Sequence, residues 1–163
     1  MISCATKSVD DTRALAAEVA PLARAGDLLV LAGDLGVGKT AFVQGLARGL
    51  GVREPITSPA FVLVRSYLGR LALTHVDVYR LDHLQEVCDL GMDELVDNGG
   101  VTAIEWGDVI VPTLPADFLE VRLDYGEADD DRQVAFDAVG PSWAPRMGAL
   151  GRAVGRWRSA VPC

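Results

Sequence analysis

The chain has 163 residues, of which 50% are apolar and 23% are charged, and its formal net charge is −8. This length suits one domain with a single buried core and is short for two. The acidic balance argues against tight direct binding to nucleic acid, which normally needs a dense footprint of Lys and Arg.

The sequence shows neither a membrane span nor an export signal. No run approaches the roughly 18 uncharged apolar residues that cross a bilayer, and the start lacks the basic and apolar regions of a signal peptide. Cys4, Cys88 and Cys163 match no zinc or redox spacing, so they are expected to be reduced thiols. These features predict a soluble, cytoplasmic protein.

The first half of the chain alternates helical and strand patterns. Apolar residues at helical spacing predict a helix over 10–24, begun by Ser8 or Asp10 and stopped by Gly26. The next predicted elements are a strand at 28–32, a helix at 39–50, and two strands at 61–67 and 71–79. A hairpin turn at 68–70 joins the two strands, with Gly69 expected to supply a special backbone angle.

The second half adds more strands and helices. It predicts a short helix at 82–90, a helical turn at 92–96, a strand at 101–105, an antiparallel pair at 118–124 and 133–139, and a helix at 143–160. Strands alternating with helices indicate a three-layer α/β fold, and the hairpin makes its mainly parallel sheet mixed. We expect one domain over 1–140, with 141–163 as a helical extension of it.

Residues 33–40, GDLGVGKT, fit the phosphate-binding pattern GxxxxGK followed by Ser or Thr. Glycines let successive backbone amides converge on phosphate oxygens, at the start of a helix whose dipole favours anions. Lys39 is placed to reach the β- and γ-phosphates, and the Thr40 hydroxyl to ligate Mg²⁺. The predicted nucleotide contacts are Asp34, Leu35, Gly36, Val37, Gly38, Lys39, Thr40 and Ala41. This motif predicts a P-loop NTPase fold that binds a Mg²⁺-nucleoside triphosphate.

A P-loop ATPase also needs a carboxylate near the metal and the attacking water. Glu105 follows the apolar run VTAI, and Asp77 lies in the strand HVDVYR, so both are candidate metal-binding and catalytic acids. The sequence leaves open which acid orients water. His75 is interpreted as structural, and Arg80 as either a phosphate partner or a salt-bridge residue. Thr57 and Ser58 occupy the position of a switch segment that responds to the γ-phosphate.

The segments GDLGVGKT, SPAF, HVDVYR and IEW, in this order, resemble the bacterial tRNA threonylcarbamoyladenosine biosynthesis ATPase family called TsaE. The resemblance covers about residues 10–137. It implies an ATPase that supports threonylcarbamoylation of adenosine 37 in ANN-decoding tRNAs, with ATP and Mg²⁺ as cofactors. It also implies partner proteins TsaD and TsaB, contact with tRNA only through that complex, and no membrane or DNA partner.

The resemblance assigns roles to individual residues. It places the phosphate lysine at Lys39, the magnesium threonine at Thr40, and the conserved acids at Asp77 and Glu105 with Trp106 beside them. Less specific alignment places a nucleotide-associated arginine at Arg132 and a polar contact near adenine at Thr12. One departure is Ala60, where the family usually has a threonine whose hydroxyl senses Mg²⁺ or the γ-phosphate. The efficiency of hydrolysis is therefore an open question.

Two other functions fit the phosphate loop. A small-molecule kinase would normally carry an arginine-bearing lid, and the arginines here do not cluster in one segment. A binding module that changes shape with ATP but barely hydrolyses it is the other alternative, and Ala60 makes it less remote. A GTPase is disfavoured because Asn98, the single asparagine, is not followed by lysine as guanine recognition requires.

Overall fold

The computed structural model describes residues 1–58, 64–79, 84–89, 91–97 and 99–159. The strands in these ranges are β1 Ile2–Thr6, β2 Leu28–Ala32, β3 Val64–Tyr67, β4 Leu73–Asp77, β5 Val101–Glu105, β6 Phe118–Tyr125 and β7 Arg132–Val139. The α-helices are α1 Val9–Ala17, α2 Lys39–Gly49, α3 Leu84–Asp89, α4 Met92–Val96 and α5 Met147–Ala153. Short 3₁₀ helices cover Ala20–Leu22, Gly107–Thr113, Ala144–Arg146 and Gly155–Trp157. No helix in this part of the chain is long and apolar enough to cross a membrane.

All seven strands form one sheet in the order β1-β7-β6-β2-β5-β4-β3. The four central strands, β6, β2, β5 and β4, run parallel, while β3 and β7 run antiparallel to their neighbours. This arrangement confirms the predicted mixed, mainly parallel sheet. The carboxyl ends of β2, β4 and β5 meet at one edge, where parallel sheets place their ligands.

Both faces of the sheet are covered. Along β2, Leu29 and Leu31 pack into a core with α1, α2 and the C-terminal segment, whereas Leu28 and Val30 face a second core with α4 and residues 107–114. Successive strand residues point to opposite faces, so a strand buried on both sides has apolar residues throughout. The two cores confirm the three-layer fold class.

The first helix is shorter than predicted. Ser8 caps α1 by accepting a hydrogen bond from the Asp11 backbone N at 3.0 Å, but the helix ends at Ala17 rather than near residue 24. A 3₁₀ turn over Ala20–Leu22 follows, and it contains Pro21. Proline has no N–H to continue an α-helix and its ring crowds the preceding turn, which explains the early end.

Strand β1 was not predicted. It pairs antiparallel with β7 at the edge of the sheet, with Ile2, Cys4 and Thr6 buried and the residues between them half-buried. The hairpin between β3 and β4 is confirmed for its described residues, but the role assigned to Gly69 is wrong: its φ is not positive. Instead, a Cβ there would lie 2.4 Å from the Leu50 carbonyl oxygen, so glycine permits a close backbone approach.

The predicted helix over 143–160 is broken. Only Met147–Ala153 is α-helical, flanked by two 3₁₀ turns. The segment contains Gly148, Gly151 and Gly155, and glycine disfavours a continuous helix. Tertiary contacts hold it in place: buried Arg146 donates two hydrogen bonds to Asp27, at 2.6 and 2.8 Å. This segment joins the same core as α1 and α2.

Candidate nucleotide-binding site

The loop between β2 and α2 depends on glycine geometry. Gly33, Gly36 and Gly38 have φ values of 142°, 77° and 113°. A Cβ on Gly33 would lie 2.3 Å from the backbone oxygen of Leu123 in β6, so this position also requires the close approach that only glycine allows. The Phe42 N–H donates to the Gly38 carbonyl at 2.9 Å and opens α2. The predicted strand, loop and helix therefore occur in the order that a phosphate site needs.

The Lys39 side chain lies inside this loop. The residue is 4% exposed, and its Nζ donates to the carbonyls of Gly33 and Asp34 at 2.6 and 2.8 Å. The ammonium also lies 3.8 Å from the centre of the Trp106 ring. Burial lowers the pKa of Lys39, and the nearby carboxylates of Glu105 and Asp77 partly oppose that effect. No carboxylate of the described residues forms a salt bridge with this ammonium, and a buried ammonium in that situation favours an incoming anion such as phosphate.

Glu105 connects the loop helix to the sheet. Its Oε1 accepts a hydrogen bond from the Thr40 hydroxyl at 2.8 Å and lies 2.7 Å from Nε2 of His75. The residue is 4% exposed and ends β5, which pairs directly with β2. The predicted metal ligands Thr40 and Glu105 are therefore in contact.

Asp77 is the second acid at this edge. It ends β4 and lies directly opposite Glu105 in the parallel pairing with β5. Its Oδ1 accepts a hydrogen bond from the Tyr79 backbone N at 2.9 Å. Burial is the largest cause of a raised pKa at Asp77, and Glu105 adds to it, while that backbone hydrogen bond, His75 and Lys39 act in the opposite direction. Its carboxyl consequently takes up a proton more readily than an exposed aspartate.

Two aromatic rings border the site. Trp106 has φ 62°, the single positive φ of a non-glycine residue in the described ranges, and its ring centre lies 4.8 Å from that of Tyr79. A bulky residue in this left-handed region is strained, and such strain is concentrated at functional sites. The turn after β5 thus directs the tryptophan ring over Lys39.

The end of the β6–β7 hairpin supports the outside of the phosphate loop. The Tyr125 hydroxyl donates to the Leu35 carbonyl at 2.7 Å, and Nε of Arg132 donates to the Val37 carbonyl at the same distance. The Arg132 guanidinium also bonds two carbonyls of its own loop. The predicted Arg132 therefore lies against the backbone of the nucleotide loop.

A cavity of about 410 Å³ opens at this place. It is lined by Leu35, Gly36, Gly38, Lys39, Thr40, Ser58, Asp77, Tyr79, Glu105 and Trp106. The structure thus brings the phosphate loop, both acids, the tryptophan and one predicted switch residue together around one space.

Several predicted site residues do not line the cavity. Asp34 and Thr57 are exposed, Val37 is buried, and Ala41 lies in the first turn of α2. Thr12 is 2% exposed on α1, and its hydroxyl lies 2.7 Å from that of Thr6. Its assignment near adenine stays a prediction. Ala60 and Arg80 lie outside the described residues.

Of the residues beside the site, His75 was interpreted as structural, and Tyr79 and Tyr125 were given no role. His75 and Tyr79 each lie two residues from Asp77, and alternate strand residues share a face, so that spacing was a usable signal for His75. Tyr125 had no comparable signal, because its contact with Leu35 depends on how β6 passes the loop.

The donor atoms fit a magnesium–phosphate complex. The described residues contain no group of three His, Cys, Asp or Glu side chains able to hold a metal by themselves. Mg²⁺ does not need such a cage, because it keeps several waters and is bound through one or two carboxylates and substrate phosphates. The Thr40 hydroxyl with the carboxylates of Asp77 and Glu105 provides that kind of oxygen set beside the phosphate loop.

Comparisons with known proteins identify the family. Residues 6–134 match the family model of the threonylcarbamoyl adenosine biosynthesis protein TsaE. The tRNA threonylcarbamoyladenosine biosynthesis protein TsaE of Bacillus subtilis is 41% identical over 83% of this chain and 84% of its own. The TsaE protein of Treponema pallidum is 44% identical, over 80% and 96% respectively. The crystal structure of Bacillus subtilis YdiB matches 96% of this chain and 97% of its own, with 34% identity and a TM-score of 0.76. The chain therefore belongs to the TsaE family of tRNA threonylcarbamoyladenosine biosynthesis proteins.

Proposed function

We propose that this protein binds Mg²⁺-ATP and hydrolyses it slowly in the cytoplasm, in support of threonylcarbamoylation of adenosine 37 by a complex of TsaB and TsaD. The main support for this proposal is a single cavity that is lined both by the buried Lys39 ammonium and by the contacting pair Thr40 and Glu105. Family membership supplies the tRNA-modification role. The geometry supports the nucleotide chemistry.

Lys39 is the proposed phosphate ligand. Its ammonium currently donates to two carbonyls of its own loop, and a triphosphate would offer charged oxygens in exchange. The pairing of an ammonium with a charged phosphate oxygen adds a Coulomb attraction that a neutral carbonyl does not offer, so the exchange favours binding. The loop amides and the start of α2 add donors that need no rearrangement of secondary structure.

The two acids take different roles. Glu105 contacts Thr40 and ends the strand next to β2, so we assign these two residues to the metal. Mg²⁺ bound there would neutralise charge on the β- and γ-phosphates. Asp77 lies one strand further along and has a raised pKa, which suits a carboxylate that orients water and accepts its proton. Asp77 also remains within the proposed set of metal or metal-water ligands.

Slow hydrolysis by the isolated chain is expected from the described part of the cavity. None of the described residues that line it is an arginine, and an arginine finger is a major source of rate in other P-loop enzymes. We propose that association with TsaB and TsaD completes or orders the site. Because the chain is acidic, the tRNA is held by the partners.

The test compares wild type with Lys39→Ala. Calorimetry with ATP and magnesium should detect binding to wild type and a large loss in the variant, and reconstituted tRNA modification should lose multiple turnover. Lys7→Ala is the matched control, because Lys7 is the only other lysine and its side chain is 73% exposed. If the Lys39→Ala variant supports multiple-turnover tRNA modification as well as wild type does, ATP hydrolysis by this protein is not required and that part of the proposal is wrong.

A further inference from the structure

The His75 imidazole is buried behind the proposed metal site. The residue is fully buried in β4, and its Nε2 lies 2.7 Å from Oε1 of Glu105. The same oxygen accepts the Thr40 hydroxyl at 2.8 Å. One carboxylate oxygen is therefore fixed from two sides, by the helix of the phosphate loop and by the neighbouring strand.

The other ring nitrogen has no comparable contact. No described residue offers a hydrogen-bond partner to Nδ1 of His75. Within the described part of the chain, the contact of Nε2 with Glu105 is therefore the hydrogen bond that orients this ring and this carboxylate relative to each other.

We propose that His75 is a positioning residue that holds Glu105 in its metal-binding orientation through the contact between its Nε2 and the Glu105 Oε1. The inference rests on the proposed function and deepens it. A hydroxyl oxygen would bind a metal ion through a lone pair, so Thr40 could keep its hydrogen bond to Glu105. His75 holds the same carboxylate oxygen from the neighbouring strand, where no metal ligand is proposed to move.

The surroundings of His75 show that filling space is not enough to account for a histidine at this position. The backbone of His75 pairs with that of Ala103 in β5. Apart from His75 and the acid that ends each strand, every residue of β4 and β5 is apolar or carries a hydroxyl group, and all of them are buried. An apolar residue would fill this space without an unpaired nitrogen. Outer partners that orient metal ligands typically change metal affinity or activity by about 10- to 100-fold when removed.

Two substitutions separate positioning from packing. In His75→Gln the side-chain amide nitrogen can replace Nε2 as the donor, whereas in His75→Asn it lies near the position of Nδ1 and cannot reach Glu105. ATP affinity is measured by calorimetry for wild type and both variants, once with magnesium and once with EDTA. The ratio of the two affinities isolates the contribution of the metal.

We expect His75→Asn to reduce this ratio by about 10-fold or more, with the EDTA affinity unchanged. His75→Gln should restore the ratio close to that of wild type. An unchanged ratio in His75→Asn, or a His75→Gln ratio as low as that of His75→Asn, overturns the inference while leaving ATP binding intact. Failure of wild type to bind ATP instead overturns the proposed function and the inference that rests on it.

Discussion

Replacement of Gly45 by alanine tests how tightly α1 holds the helix that carries the phosphate loop. Gly45 is buried in α2 where that helix crosses α1. An added Cβ would lie 2.1 Å from the backbone oxygen of Arg13 and 2.7 Å from its C and Cα. These are backbone atoms of a helix, so no side-chain rotation can relieve the overlap.

The size of the effect follows from two opposing terms. Alanine is about 1 kcal/mol more favourable than glycine inside a helix. Reaching an ordinary contact of 3.4 Å, however, requires α1 and α2 to separate by more than 1 Å. That movement loosens the packing of Leu15 and Phe42, and forced overpacking of a core typically costs about 1–3 kcal/mol or more. The difference between the two terms leads us to expect Gly45→Ala to lower the free energy of unfolding by about 0–2 kcal/mol.

The assay is urea unfolding followed by circular dichroism, with Gly151→Ala as the matched control. Gly151 lies in α5, and the nearest atom to an added Cβ is 3.6 Å away, so the control should gain about 0.5–1 kcal/mol from helix propensity alone. The reasoning is refuted if Gly45→Ala stabilises the protein as Gly151→Ala does, because the close approach of α1 would then exert no constraint.

Three further predictions concern charge and the loop. Because the pKa of Asp77 is raised in the folded protein, ionisation of its carboxyl lowers the free energy of unfolding. This loss of stability develops as the pH rises from 3.8, the ordinary pKa of an aspartate, through the raised pKa of the folded state. Asp77→Asn should therefore be more stable than wild type at pH 7, and the difference should shrink towards pH 3.8. Urea unfolding at several pH values measures this difference, and a difference that does not change with pH would show that the ionisation of Asp77 is not its cause. Arg146→Ala leaves the buried carboxylate of Asp27 without its ion-pair partner and should cost about 3–5 kcal/mol, against less than about 0.5 kcal/mol for the exposed Arg152→Ala. Tyr125→Phe removes one hydrogen bond to the loop, so urea unfolding should show a loss of about 0.5–1 kcal/mol in stability, and an unchanged midpoint would show that this bond does not support the loop.

The sequence predicted those elements that carry strong local signals. The apolar runs at Leu28–Ala32 and Val101–Glu105 match β2 and β5 at both ends, because a strand buried on both faces needs apolar residues throughout. The predicted helical turn at Met92–Val96 is also confirmed at both ends. In the site, the phosphate loop and the two acids were found because strand ends deliver charged residues to one edge.

Features that depend on tertiary contacts were missed. The sequence of β1 is too short to give a clear strand pattern, and its pairing with β7 becomes visible only when the sheet is assembled. The role of Gly69 depends on the distant Leu50 carbonyl, and the role of His75 depends on the direction of the Glu105 side chain. Apart from the strand alternation that puts His75 on the same face as Asp77, these contacts leave no periodic signal in the chain. Such contacts can be identified only from the three-dimensional structure, even where the residue type stands out in the sequence.

The charges at the site indicate why the metal and the nucleotide should bind as one unit. Lys39 brings one positive charge into the cavity, whereas Asp77 and Glu105 bring two carboxylates to the same space. A bare triphosphate would therefore approach two acids with only one ammonium and the loop amides to compensate. In the proposed complex, Thr40 and Glu105 would hold a divalent cation whose charge would offset this repulsion. The orientation of Glu105 would then set how well that cation is held, which is the role proposed for the contact with His75.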